Sequence, residues 1–197
     1  MNQLVCVLCI LTLTSSGLSA EAPTSTTSSQ DQLDDDGSAR LLIAAVRAKR
    51  VDVLHKLVAD GVDINARAKG EGTALIQAAR DADLALVTEL LTMGADVNRT
   101  SRGDGNPLIG AARTGDVSVL QKLVSSGADV NAIVINDETP LISASRAGQL
   151  DAVKYLVGAG ADVNLGVVAD RGLWRSPLNQ ARDSAVRDYL LSKGAAR

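Results

Sequence analysis

Apolar residues recur along this chain in small groups at helical spacing, and the groups themselves recur. Val117, Leu120, Leu123 and Val124 fall on one face of a helix. The same face is written at Val51, Leu54, Leu57 and Val58, at Leu84, Val87, Leu90 and Leu91, and at Leu150, Val153, Leu156 and Val157. Ahead of these groups lies a second kind of helix, built from smaller residues. Leu108, Ala111 and Ala112 share a face behind Asn106-Pro107, with proline at the first helical position. Alanines on that face let neighbouring helices approach closely. Gly115 permits the turn between the two helices, and Gly127 ends the second one. Asp129 and Asn131 shape the turn that follows through side-chain to backbone bonds.

Polar punctuation keeps the same beat. Gly61-Val62-Asp63-Ile64-Asn65, Gly94-Ala95-Asp96-Val97-Asn98, Gly127-Ala128-Asp129-Val130-Asn131 and Gly160-Ala161-Asp162-Val163-Asn164 are spaced 33 residues apart. A second phrase reads Thr73-Ala74-Leu75-Ile76, Asn106-Pro107-Leu108-Ile109, Thr139-Pro140-Leu141-Ile142 and Ser176-Pro177-Leu178-Asn179, with a short insertion before Ser176. A fixed period of this length predicts a stack of similar units rather than one globular core. Each buried Leu contributes on the order of 1.5–3 kcal/mol. No unit has enough of them to stand alone, so stacking supplies the stability. Helix pairs are expected to start near Arg40, Thr73, Asn106 and Thr139, with a shortened, capping pair near Ser176.

These two interlocked phrases resemble the ankyrin repeat family, whose consensus carries Thr-Pro-Leu-His and Gly-Ala-Asp-x-Asn at these phases. The resemblance runs from about Ser38 to the C-terminus. It implies an all-α solenoid of helix-turn-helix units joined by β-turn fingers, and a protein partner held along the concave side. The His of the consensus is replaced by Ile43, Ile76, Ile109 and Ile142, so packing must do what a hydrogen bond does in the family. The last third, with Asp137-Glu138-Thr139-Pro140-Leu141, Asn164-Leu165-Gly166-Val167, Arg175-Ser176-Pro177-Leu178 and Gln180-Ala181-Arg182, is similar to ankyrin tails on bacterial membrane metallopeptidases of the β-lactam-sensor type. Only the ankyrin module is shared with them.

The N-terminal part changes the picture of location. Residues 1–20 read as a secretory signal, with an apolar run from Leu4 to Leu13 and small residues up to Ala20. The run is short for a membrane span of about 20 residues. Neither Cys6 nor Cys9 follows the small residue that lipid attachment needs. Both cysteines lie inside the signal, which would leave the mature chain without thiols, as suits an oxidising compartment. Residues 21–37 are rich in Ser, Thr, Asp and Gln and read as a disordered tether. Asp36 or Ser38 is expected to cap the first helix. The repeat domain is expected over 38–197. The expected setting is the bacterial periplasm.

Composition narrows the function. Aromatic residues make up 2% of the 197, with no Phe, which fits thin layers of Leu, Val and Ala better than a globular core. A net charge of −3 offers no footprint for nucleic acid. The one histidine, His55, flanks a buried face and has no sequence partner for metal binding or acid–base work. No catalytic constellation, cofactor motif or metal motif is found, and a non-enzymatic protein-binding module is expected. A capped solenoid needs no oligomer, so a monomer is expected. A periplasmic stress-protection accessory to an enzyme such as a catalase, or an exported effector, are the competing readings.

Three features point to contact residues. Arg47, Arg80, Arg113 and Arg146 form a ladder at 33-residue spacing, at the place that lies on the concave face in ankyrin proteins. Arginine forks bind carboxylates bidentately, so the ladder could read an acidic segment. Glu71, Asp104 and Asp137 recur in the turns on the same beat and could instead pair with the arginines. The insertion Gly166–Arg175 holds the only Trp, and the preceding turn, Ile133-Val134-Ile135, is apolar. Trp and Arg are the residues most enriched at binding hot spots; Trp174 could equally fold down over the shortened last repeat. The candidate partner contacts are thus Arg80, Arg113 and Arg146; Arg102, Asp104, Ile135 and Asp137 in the turns; and Arg171 and Trp174 in the insertion.

Overall fold

In the computed structural model, residues 30–134, 138–169 and 172–196 are described. The expected signal (1–20) lies outside them, as do residues 21–29 of the expected tether. Ten helices follow in sequence among the described residues, arranged as pairs: α1 (Gln30–Arg47) with α2 (Val51–Ala59), α3 (Ala74–Arg80) with α4 (Leu84–Thr92), and α5 (Pro107–Thr114) with α6 (Val117–Ser125). The series continues with α7 (Pro140–Ala147) and α8 (Leu150–Gly158), then α9 (Pro177–Gln180) and α10 (Ser184–Ser192). The chain is an all-helical repeat solenoid. No described helix is long and apolar enough to cross a membrane.

Local chemistry starts the inner helices where the repeated phrase places them. The side chains of Thr73, Asn106, Thr139 and Ser176 accept hydrogen bonds from the backbone N–H of Ile76, Ile109, Ile142 and Asn179. Each satisfies one of the donors left over at a helix start. Proline follows at Pro107, Pro140 and Pro177. The first pair departs from this plan. Helix α1 begins at Gln30, upstream of Ser38, so neither Asp36 nor Ser38 caps it. Asp36 instead accepts from the Lys69 backbone N–H at 2.8 Å and pairs with Arg40. That carboxylate bonds a turn 33 residues away.

The core is thin and continuous. Ala78, Ala79, Ala111, Ala112 and Ala144 are fully buried between inner helices, and Leu75, Leu108 and Leu141 are nearly so. Ser145 takes the place of the second alanine and is buried with its hydroxyl donating to the Leu141 carbonyl at 2.7 Å. Ile43, Ile76, Ile109 and Ile142 are all buried, so the position that is His in the consensus is held by packing.

A ladder of asparagines ties one turn to the next. The Asn98 carboxamide donates to the Gly127 carbonyl at 3.0 Å and accepts from the Asp129 N–H at 2.9 Å. Asn131 does the same with Gly160 and Asp162, and Asn164 with Gly194 and Ala196. The aspartates work locally: the Asp129 carboxylate accepts from the Asn131 N–H. So the Asp holds each turn and the Asn reaches across to the following one.

Between pairs the chain projects as fingers. The bridges Ala68–Gly72 and Ser101–Gly105 close the first two. The insertion forms a hairpin of β1 (Val167–Val168) and β2 (Trp174–Arg175), paired antiparallel with Val168 opposite Trp174.

Candidate interaction surface

The arginine ladder is largely occupied by internal carboxylates. Arg47, in the last turn of α1, pairs with Glu71 at 2.8 Å and also donates to the Gln77 side chain. Arg80, ending α3, reaches into the next finger. Its Nη2 donates to the Asp104 carbonyl at 2.6 Å and to the Asp104 carboxylate at 3.2 Å. Ser101 Oγ also donates to Asp104. Arg146, near the end of α7, pairs with Glu138. Glu138 stands where the first two fingers carry Gly72 and Gly105, and its carboxylate is buried. Among the described residues no carboxylate pairs with Arg113, which is exposed at the end of α5. Asp137, the acid in register with Glu71 and Asp104, lies outside the described residues.

The strip expected to read an acidic segment is therefore, among the described residues, mostly an internal device: Arg47, Arg80 and Arg146 are paired, and Asp137, the acid in register with Arg113, lies outside those residues. Degree of burial separates the rungs. The side chains of Arg80 and Asp104 are 19% and 8% exposed, against 54% and 30% for Arg47 and Glu71. Only the first of these two pairs is shielded enough from water to matter much for stability.

Exposed apolar groups collect toward the C-terminal fingers. Ile133 is 53% exposed, and Val168, Leu173 and Trp174 on the hairpin are more than half exposed. Ile135 and Arg171 lie outside the described residues. The Trp174 ring rests against Gly166, on the opposite limb of the hairpin. With Asn164, Leu178, Arg187, Leu191 and Ala196 it lines a cavity of about 590 Å³ at the end of the stack. The Trp174 ring thus rests on its own hairpin beside the terminal pair, and 57% of the residue faces solvent.

A second crevice, of about 450 Å³, runs under successive fingers and is lined by Arg67, Thr100, Arg102, Ile133 and Val134. Arg102 is thereby grouped with Ile133. Arg67 was not legible as a contact from sequence chemistry. Its place 33 residues before Thr100 and 66 before Ile133 was the available signal.

His55 is paired too. Its Nε2 lies 2.7 Å from Glu89 Oε1, joining the outer helices α2 and α4. Near the same end, the Lys49 ammonium lies 2.8 Å from Asp83, which also caps α4 by accepting from the Leu86 N–H. Lys49 and that N–H hold the Asp83 carboxyl below the usual carboxylate range.

A family model described as ankyrin repeats (3 copies) matches residues 41–134 and, in a second overlapping placement, residues 75–166. The comparison with curated proteins gives no match.

Proposed function

The chain belongs to the ankyrin repeat family, and on that premise we propose that it is a non-enzymatic recognition module of the bacterial cell envelope that holds a protein partner along its fingers and inner helices. Ankyrin repeats generally mediate protein–protein interaction, and the family is typically non-enzymatic. The observation that carries the reading is the run of exposed apolar groups at the C-terminal fingers, Ile133, Val168, Leu173 and Trp174. Exposed aliphatic and aromatic side chains gathered on adjoining loops are what a partner desolvates on binding. The envelope setting rests on the reading of residues 1–20 as a secretory signal and on the similarity of the last third to tails of membrane metallopeptidases.

The test is affinity capture from a bacterial envelope fraction with the full chain as bait, alongside Trp174→Ala and Arg113→Glu. One partner held by the wild type and released by Trp174→Ala, at unchanged helical content, supports the module. A wild-type bait that retains nothing above a denatured control sinks it. Localisation is checked separately by fractionating cells and sequencing the N-terminus of the exported chain. An N-terminus at Glu21 agrees with the proposal, and an uncleaved cytosolic protein contradicts it.

A further inference from the structure

We infer that the crevice under the first three fingers takes an extended acidic peptide segment of the partner, with an apolar side chain about three residues from its carboxylate. This rests on the recognition-module reading and names the chemistry that such a module would read.

The first support is charge. The finger acids Glu71 and Asp104 are drawn inward, to Arg47 and Arg80. The cations on the same fingers are left outward. Arg67, Lys69 and Arg102 are exposed, and among the described residues none of their side chains pairs with a carboxylate, although the Lys69 backbone N–H donates to Asp36. A chain of net charge −3 thus presents a locally basic row. Arg67 is held across the crevice by a long bond from Nη1 to the Thr100 carbonyl, at 3.5 Å. A guanidinium has five N–H donors in a fixed fork, so most of its binding capacity remains open.

The second support is the apolar wall. Ile133 stands more than half exposed in the same crevice, above buried Val134. A surface that bound phosphate alone would gain nothing from it. A peptide with a carboxylate and an aliphatic or aromatic side chain would use both walls.

The spacing follows from the stack. Packed helices lie about 8–10 Å apart, which sets the step from one finger to the next. An extended chain advances about 3.3 Å per residue. About three residues therefore separate a carboxylate at the level of Arg102 from a side chain on Ile133.

The experiment is fluorescence anisotropy of the full chain with a labelled Gly/Ser peptide carrying Glu-Glu and then Leu three residues on. Saturable binding is expected, weakening at least tenfold in Arg67→Glu/Arg102→Glu and in Ile133→Asp, with circular dichroism unchanged. A peptide with Gln in place of Glu should bind at least tenfold more weakly. Absence of binding, or binding that ignores the double reversal, overturns the proposal. So does preferential binding of phosphatidylglycerol vesicles or a single-stranded oligonucleotide over the peptide, which would make the crevice a phosphate surface. The envelope capture keeps the two readings apart. A partner retained equally by wild type and by Arg67→Glu/Arg102→Glu removes the crevice proposal and leaves the module standing. Loss of every partner in the wild type removes the module, and the peptide isotherm still judges the crevice.

Discussion

Trp174 lies against the backbone of Gly166 so closely that a Cβ added there would sit 2.7 Å from both the Trp174 Cε2 and the Arg175 carbonyl oxygen. Gly166 is not needed for a left-handed backbone, so the demand is purely for space. Gly166→Ala should push the ring and its strand away, at a cost of about 1–3 kcal/mol for overpacking. Because Trp174 is the only tryptophan, its emission reports the move. A shift to longer wavelength with a lower urea midpoint is expected. An unchanged spectrum would show that the ring does not rest there in solution.

Two ladder pairs should differ in worth. Arg80 carries two hydrogen bonds to a nearly buried Asp104, and a charged hydrogen bond is worth about 1.5–3 kcal/mol. Arg80→Ala is therefore expected to lower unfolding free energy by about 1–3 kcal/mol. Arg47→Ala, at a mostly exposed pair, should cost less than about 1 kcal/mol. Urea denaturation of the two variants decides it; equal losses would mean that burial does not set the value of a rung.

The turns between paired helices place one residue in left-handed conformation. Gly115 and Gly148 do so at φ 85° and 74°, while Lys49 and Ala82, in register with them, do so at 54° and 53°. A residue with a Cβ is penalised there by roughly 1–2 kcal/mol. Ala82→Gly should stabilise the protein by about 0.5–1 kcal/mol after the added freedom of the unfolded chain is set against it. A drop in melting temperature for this variant would contradict the strain argument.

The Lys49–Asp83 pair predicts a pH dependence. The folded-state pKa of Asp83 is depressed, chiefly by the hydrogen bond from Lys49. Its contribution is therefore full above the ordinary aspartate value of about 3.9 and is lost as pH falls through the lower folded value. Asp83→Asn keeps a side chain able to cap α4 and removes the charge. The variant should be less stable than wild type at neutral pH, and the gap should close in acid below the folded pKa. Denaturation curves across that range test it, and a gap that stays constant would assign the effect to the cap alone.

Much of the fold was legible because each unit is shaped by its own residues. The 33-residue beat, the caps at Thr73, Asn106, Thr139 and Ser176, and the glycine turns are local chemistry, readable one repeat at a time. The start of the first helix was not legible. Nothing in the polar stretch before Ser38 signals that Asp36 will bond the backbone of Lys69, a contact made only once the next turn is stacked.

The site was legible in kind and not in detail. The period put four arginines and three acids on one beat, but it could not say which acids face inward. Arg146 pairs instead with Glu138, eight residues before it, because Glu138 occupies the buried place that glycine holds in the first two fingers. Arg67, Thr100 and Ile133 have nothing in common as residues and meet only because their fingers stand side by side. By itself the sequence determined the repeating unit and its stacking, since those follow from contacts within a unit and with its immediate neighbour. Only the tertiary structure decided which charges are spent inside and which face solvent, since that depends on distances across the stack to which a period is blind.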